Sequence, residues 1–196
     1  MNRISEESMK NLFRDARTHH AWLQRDVSDE TLKEVYELAK WGPTSANSSP
    51  ARIVFVKSKA EKEKLISCLS PGNVEKVKAA PVTAIIAQDE KFYDQLPKLF
   101  PPSQGMRDLF ASDLTLSQAT AFRNSSLQGA YFILAARAIG LDCGPMSGFE
   151  NKKLDELFFS GTNWKSNFIC NLGYGDSSKL FPRLPRLEFD FACKII

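Results

Sequence analysis

Apolar residues recur at helical spacing in two segments near the start of the chain, and each segment follows a serine that can cap a helix. Ser5 precedes the first segment, and Ser28 precedes the second, which Gly42 and Pro43 end. The apolar stripes are Met9, Leu12, Phe13 and Ala16 in the first segment and Leu32, Val35, Tyr36 and Ala39 in the second. The spacing predicts two amphipathic helices.

Three short runs of β-branched, aromatic and aliphatic residues predict buried strands at 53–56, 82–87 and 167–173. Ser58-x-x-Glu61 is a capping box, which predicts a helix after the first strand. Asn73 is predicted to cap a short helix that ends before Pro81. Residues 142–149 contain Gly144, Pro145 and Gly148, and they are interpreted as a Gly/Pro-rich connecting segment.

The longest helical pattern runs from about residue 116 to 139, contains no proline and ends at Gly140. Residues 89–113 are interrupted by prolines, and short helices in a surface excursion are predicted there. The element order predicts an α+β, three-layer α/β/α fold in one domain, residues 1–196. Its small mixed, mainly antiparallel sheet is flanked by helices around the long central helix.

Composition and charge exclude several classes of protein. The chain has 196 residues, of which 43% are hydrophobic and 25% charged, as in ordinary globular domains. Its net charge is +3 and no block of like charge is present, so nucleic acid is not an expected partner. The longest apolar stretches are about eight residues, too short for a membrane span. The charged N-terminus lacks the pattern of a signal peptide, so a cytoplasmic protein is expected.

The common catalytic motifs are also absent. No C-x-x-C pair occurs among the four cysteines, and the two histidines, His19 and His20, are adjacent, so a metal site is not expected. The chain contains no G-x-G-x-x-G, P-loop or G-x-S-x-G motif. The sequence therefore does not support the hypothesis that the protein is a Rossmann dehydrogenase or a serine hydrolase.

Five polar segments remain as candidate sites, and each has two interpretations. Arg17–His20 could place cations at the end of a helix, and Lys179 with Arg183 and Arg186 could form a solvated basic strip, or both segments could bind a phosphate. The segment Pro43–Asn47 could be a polar connector or could contact the edge of a planar heterocycle. Asn73 and Lys76 could belong to an ordinary capped helix or could bind a ligand. The small residues of Pro145–Gly148 would allow the backbone to approach a ligand closely. The segments are Arg17–His20, Pro43–Asn47, Asn73-x-x-Lys76, Pro145–Gly148, and Lys179 with Arg183 and Arg186.

The ordered set of motifs resembles the FMN-dependent nitroreductase-like oxidoreductases, and it is most similar to the malonic semialdehyde reductases of pyrimidine degradation. The resemblance spans nearly the whole chain. Its motifs are Asp15-Ala16-Arg17-Thr18-His19, Trp41 to Arg52, Ala121-Phe122-Arg123-Asn124-Ser125-Ser126, Gly144-Pro145-Met146-Ser147-Gly148-Phe149, and Gly173 to Leu180.

The resemblance implies a homodimer with two FMN sites at the subunit interface and NAD(P)H as co-substrate. It assigns two segments to the FMN phosphate, one loop to the partner subunit's site, one pair to the pyrimidine edge of the flavin, and one segment to flavin N5. The implied phosphate ligands are Arg17, Thr18 and His20 with Lys179, Arg183 and Arg186, and the implied loop to the partner subunit's site is Pro43, Thr44, Ser45 and Asn47. The implied contacts to the pyrimidine edge are Asn73 and Lys76, and those to flavin N5 are Pro145, Met146, Ser147 and Gly148.

By the same resemblance, the expected reaction is ping-pong hydride transfer through flavin N5, which reduces malonic semialdehyde to 3-hydroxypropanoate. Because the flavin carries the hydride, no protein nucleophile is required, and Lys76 is expected to act electrostatically. Arg52, Arg107 and Arg123 are candidates for the substrate carboxylate. The alternatives are a reductase of nitroaromatics, quinones or enones, a flavin-binding protein without turnover, and a helix-rich interaction module.

Overall fold

A four-stranded antiparallel sheet forms the centre of the computed structural model, which describes residues 3–103 and 105–196. Its strands are β1 (Ala51–Val56), β2 (Val82–Asp89), β3 (Asp142–Met146) and β4 (Trp164–Gly173), in the order β1-β2-β4-β3. All three strand pairings are antiparallel. Thr18 adds a single parallel bridge to Cys143 outside the named strands. The prediction of a small, mainly antiparallel sheet is therefore confirmed.

Helices cover both faces of this sheet, because side chains along the central strands alternate between two cores. Ala84 and Ile86 of β2 point into one core, and Ile85 and Ala87 point into the other. The first core is closed by α2 (Asp29–Ala39) and α7 (Leu114–Ala138). The second is closed by α3 (Lys59–Ile66), α4 (Pro71–Ala79) and α8 (Asn151–Phe158). The layers confirm the predicted three-layer arrangement.

Most helix ends lie where the sequence places them. The Ser28 hydroxyl accepts the N–H of Thr31 at 3.1 Å, and the Ser58 hydroxyl accepts the N–H of Glu61 at 3.3 Å. The 25-residue helix α7 begins after Asp113, whose carboxylate accepts the N–H of Leu116. Gly140 follows this helix with a φ of 84°, a left-handed conformation that glycine adopts without a steric cost.

Three local predictions are wrong. The first helix is short, because α1 (Glu6–Met9) passes into a π-helical turn, Lys10–Arg14, that ends before Ala16. Asn73 does not cap α4, which begins at Pro71 after Ser70. Residues 142–146 form the edge strand β3, because pairing with β4 outweighs the low strand preference of glycine and proline. An edge strand tolerates Pro145, since its missing N–H faces away from the sheet.

Within the segment 89–113, the described residues from Phe92 to Ser112 form short helical turns, as predicted, with a small core of their own. A 3₁₀ turn (Phe92–Gln95) leads into α5 (Leu96–Leu99) and then α6 (Gly105–Ser112). The core packs Phe92, Leu96 and Phe110 against Ala121 of α7. A further 3₁₀ turn (Ser177–Lys179) and the short α9 (Phe189–Ala192) follow β4. Within the described ranges, no helix combines the length and apolarity needed to cross a membrane.

Candidate functional site

Two basic segments that lie far apart in the sequence meet in the structure. The Arg17 guanidinium donates to the carbonyl of Phe181 at 2.5 Å, and the Arg183 guanidinium donates to the carbonyl of Ala16 at 3.0 Å. The His20 ring stacks on the Phe181 ring with centroids 4.7 Å apart. Each guanidinium has five N–H donors, so these bonds leave several available for an anion. Arg17 and Arg183 therefore form one cationic cluster, with the His20 ring beside them, and the assignment of this cluster to a phosphate stays a prediction.

Two further predicted phosphate ligands, Lys179 and Arg186, form no hydrogen bond or ion pair with this cluster in the part of the chain that the structure describes. Lys179 ends an exposed 3₁₀ turn that follows β4. Arg186 donates to the carbonyls of Leu184 and Pro185 in its own exposed segment. Their assignment to a phosphate therefore stays a prediction.

Asn73 and Lys76 lie one turn apart on α4 and contact the segment that follows β3. The Asn73 amide donates to the carbonyl of Gly148 at 3.0 Å, and the Lys76 ammonium donates to the Asn73 side-chain oxygen at 3.2 Å. Both side chains are half-buried. A Cβ atom at Gly148 would lie 2.7 Å from the Asn73 amide nitrogen, so a larger residue here would displace the Asn73 side chain from its present position.

A buried asparagine outside the predicted site motifs, Asn171, holds α4 on the sheet at Lys76. The Asn171 amide of β4 donates to the carbonyl of Lys76 at 2.9 Å. Its side-chain oxygen accepts the hydroxyl of Thr83 at 2.6 Å. Asn171 is completely buried, and a polar residue in the apolar strand 167–173 is the signal that identifies it.

Strand β3 connects the cationic cluster to the Asn73–Lys76 pair. At one point Thr18 bridges to Cys143, and the N–H of His19 donates to the carbonyl of Cys143 at 2.9 Å. A few residues later, half-buried Pro145 and Met146 end the strand, followed by Ser147, which is exposed, and by Gly148. Three of the predicted segments therefore converge along one edge of the sheet.

His19 is the buried residue beneath the cationic cluster. It is 5% exposed, and its Nε2 lies 3.3 Å from a carboxylate oxygen of Asp142. Burial lowers the pKa of His19 below its usual 6.5, although the Asp142 carboxylate opposes the shift. Arg17 and His20 lower this pKa further, and Asp176 raises it. The ring is therefore neutral in the folded protein at pH 7.

This burial predicts a loss of stability in mild acid. Because the unfolded chain binds a proton at His19 below about pH 6.5 and the folded chain does so only at lower pH, the free energy of unfolding should fall between these two values. Urea unfolding at about pH 7.5 and pH 5.5 measures this. His19→Gln should flatten the pH dependence, whereas His20→Gln should retain it. Equal slopes in wild type and His19→Gln would contradict the assignment.

The loop Pro43–Asn47 lies apart from these three segments. The Ser45 N–H donates to the side-chain oxygen of Asn124 at 2.8 Å, and the Asn47 amide donates to the carbonyl of Leu99 at 2.9 Å. Within residues 3–103 and 105–196, no hydrogen bond or ion pair connects this loop to the cationic cluster or to Asn73 and Lys76. Within one chain the loop is therefore hydrogen-bonded to α7 and to Leu99, and not to the other predicted site residues that the structure describes.

The three candidate arginines differ in what they contact. Arg52 is half-buried and pairs with Asp89 at 2.8 Å, while it also donates to two backbone carbonyls. Arg107 pairs with Asp94 at 3.2 Å and with Asp108 at 3.1 Å. Arg123 on α7 is exposed, and its guanidinium forms no hydrogen bond or ion pair with any residue that the structure describes.

The four-stranded sheet between two helical layers is a nitroreductase-like fold, and residues 14–174 match the model of the Nitroreductase family. The chain belongs to that family. It is 60% identical over 193 residues to a protein of Polynucleobacter asymbioticus that carries the name NADH dehydrogenase/NAD(P)H nitroreductase, and the match covers 98% of each chain.

Solved structures of lower identity share the fold. A nitroreductase from Exiguobacterium sibiricum, determined in complex with FMN, superposes with a TM-score of 0.83 at 20% identity over 100% of both chains. A gut-bacterial enone reductase of fatty acid saturation superposes with a TM-score of 0.80 at 16% identity, over 99% of this chain and 100% of the other. At these identities the likeness concerns the fold alone.

Proposed function

We propose that this protein is an FMN-dependent NAD(P)H oxidoreductase. The observation that carries the proposal is the convergence of Arg17 and Arg183, at one end of β3, with Asn73 and Lys76, at the other end. Guanidinium groups suit a phosphate, and an amide beside an ammonium suits the polar edge of a flavin. The FMN complex of the Exiguobacterium sibiricum relative supports the cofactor.

In this assignment the cationic cluster beside Cys143 of β3 holds the FMN phosphate. Arg17 and Arg183 provide bidentate donors, and Thr18 and His20 add a hydroxyl and a ring N–H. Lys179 and Arg186 lie on the same exposed C-terminal segment as Arg183 and add positive charge. The neutral ring of His19 lies beneath the cluster, and the His19 backbone N–H holds this segment against Cys143 of β3.

The flavin ring would be held at the other end of the edge strand. Asn73 and Lys76 would bind its pyrimidine edge, and Pro145, Met146, Ser147 and Gly148 would contact the part of the ring that accepts the hydride. When bound, FMN supplies a ring system that accepts a hydride from NAD(P)H and passes it to a second substrate. The Lys76 ammonium places positive charge where reduction builds negative charge, and the Ser147–Gly148 backbone offers a fixed N–H.

A homodimer completes the site in this proposal. Pro43, Thr44, Ser45 and Asn47 reach the flavin of the partner subunit, which accounts for their separation from the other segments within one chain. Large apolar side chains that are exposed in the single chain support a subunit contact: Trp41 is 79% exposed, Phe122 55% and Phe191 86%.

For the acceptor, we propose malonic semialdehyde, which is reduced to 3-hydroxypropanoate. The substrate carboxylate requires a cation, and Arg123 is the candidate best suited to it, since Arg52 and Arg107 already pair with carboxylates. Arg123 precedes Asn124, whose side chain contacts the loop Pro43–Asn47. The enone reductase relative keeps an enone acceptor open as the second candidate.

The visible spectrum of the purified protein tests the proposal first. We expect a flavin spectrum, or one that appears when FMN is added, and we expect NADH or NADPH to bleach it without oxygen. Malonic semialdehyde should then restore the oxidised spectrum, and sedimentation should give the mass of a dimer. A protein that neither contains nor takes up FMN would overturn the proposal.

Arg123→Ala should raise the KM for malonic semialdehyde by about tenfold or more, because a hydrogen bond between two charged groups contributes about 1.5–3 kcal/mol. The KM for an uncharged quinone should not change, since a quinone has no carboxylate. Steady-state kinetics with both acceptors measure this, with Arg107→Ala as the matched control. A loss shared equally by both acceptors would contradict recognition of the carboxylate by Arg123.

A further inference from the structure

The loop after α2 is held in a conformation that its residues rarely adopt. Ala46, Asn47 and Ser49 have φ angles of 51°, 49° and 42°, and none of them is a glycine. Side chains disfavour this left-handed region, so the surrounding structure must stabilise the loop. Such conformations concentrate at ligand sites, where they are part of the geometry that binds.

Two side chains of α7 anchor the loop at its ends. The Asn124 oxygen accepts the N–H of Ser45, and one turn later the Gln128 oxygen accepts the N–H of Ala51, both at 2.8 Å. The Asn124 amide nitrogen donates to the carbonyl of Thr120 at 2.8 Å. Because that bond fixes which end of the amide faces the loop, Asn124 presents an acceptor and not a donor to Ser45.

Burial makes the Asn124 contact strong. Asn124 is only 2% exposed, so water does not compete well for either end of its amide. Ala46 packs against the small core of Phe92 and its neighbours, and Ser48 is buried at 1% exposure. The loop is therefore held from α7 on one side and from the segment 92–110 on the other.

We propose that Asn124 is a positioning residue, which holds the loop Thr44–Ser49 in its left-handed conformation so that Thr44, Ser45 and Asn47 meet the flavin. This inference rests on the proposed function, which assigns that loop to FMN. Asn124 itself touches neither cofactor nor substrate. Its effect passes through one backbone N–H, that of Ser45.

Asn124→Ala should weaken FMN binding. We expect the Kd for FMN to rise about tenfold or more, since the loop loses the acceptor that offsets its strain. Titration of the apoprotein with FMN, followed by quenching of flavin fluorescence, measures the Kd without turnover. Hydrogen exchange should show that the Ser45 amide becomes unprotected in the variant.

Ser125→Ala is the matched control, because Ser125 is the next residue, is completely buried and forms no hydrogen bond to the loop among the residues that the structure describes. Its hydroxyl donates to the carbonyl of Phe122 and accepts the Asn167 amide. Thermal unfolding should show a loss of stability in both variants, with the FMN Kd changed only in Asn124→Ala. A Kd within about twofold of wild type in Asn124→Ala would overturn the proposal, because that change is far below the loss of a buried hydrogen bond.

Hydrogen exchange separates this inference from the proposed function. If the wild-type apoprotein does not bind FMN, the proposed function fails. The anchor is still tested, since the Ser45 amide should exchange more slowly than the Ala46 amide, which has no hydrogen bond within the described ranges. This wild-type comparison also serves if Asn124→Ala does not fold. Equal exchange at the two amides would overturn the anchor itself.

Discussion

Gly144→Ala is expected to lower the free energy of unfolding by about 3 kcal/mol, the upper part of the usual range for overpacking. A Cβ atom at this position would lie 2.5 Å from the backbone carbonyl oxygen of His19. It would also lie 3.4 Å from Asn171 and Trp22. A backbone carbonyl cannot move aside like the end of a flexible side chain, so β3 and the segment 17–20 must separate.

Gly72→Ala is the matched control for this substitution. Gly72 lies in the first turn of α4, and a Cβ atom there has no neighbour within 4 Å. Alanine should therefore be neutral, or stabilising by up to about 1 kcal/mol, because it favours a helix over glycine. Urea denaturation of both variants measures the difference. Wild-type stability in Gly144→Ala would contradict the close approach of the two segments.

Local signals in the sequence were sufficient for the helices α2, α3 and α7. Ser28 and Ser58 cap them because a serine hydroxyl satisfies a free N–H of the first turn, whatever surrounds the helix. The apolar stripe of α2 and the unbroken pattern of α7 depend on spacing alone. These features were predicted because each one acts within a few residues of the chain.

Strand β3 could not be predicted in this way. Gly144 and Pro145 disfavour a strand, and what makes residues 142–146 extended is pairing with β4, about 26 residues later in the chain. Asn73 was misplaced for a related reason. A good N-cap residue stands inside α4 because its side chain pairs with the carbonyl of Gly148, a contact between distant residues.

For the candidate site as well, the sequence indicated the local motifs but not the contacts between residues that lie far apart in the chain. The motifs identified the segments around Arg17, Asn73 and Gly148, but only the fold brings these segments together along β3. Asn124 was part of a quoted motif without any assigned role. A buried amide on an apolar helix was its only signal, and the partner, the N–H of Ser45, lies 79 residues away.

Lys76→Met should slow the reduction of bound FMN by NAD(P)H by about 100-fold, the loss typical when one group that stabilises developing charge is removed. The substitution removes the ammonium but keeps an unbranched side chain of similar length. Because Lys76 is half-buried and contacts Asn73, its charge acts where water screens it poorly. Stopped-flow absorbance of the flavin, with excess NADH or NADPH and without oxygen, measures the rate.

Lys78→Met controls for the loss of one positive charge from the same helix. Lys78 is exposed and pairs with Glu75, away from Asn73 and Gly148. We expect its rate of flavin reduction to stay near that of wild type. Because Lys76 acts on the charge that reduction creates, Lys76→Met should also lower the midpoint potential of the flavin, whereas a purely structural change would weaken binding and leave the potential unchanged. A wild-type rate and potential in Lys76→Met, with FMN bound, would exclude the electrostatic role and leave Lys76 as a residue that only orients Asn73.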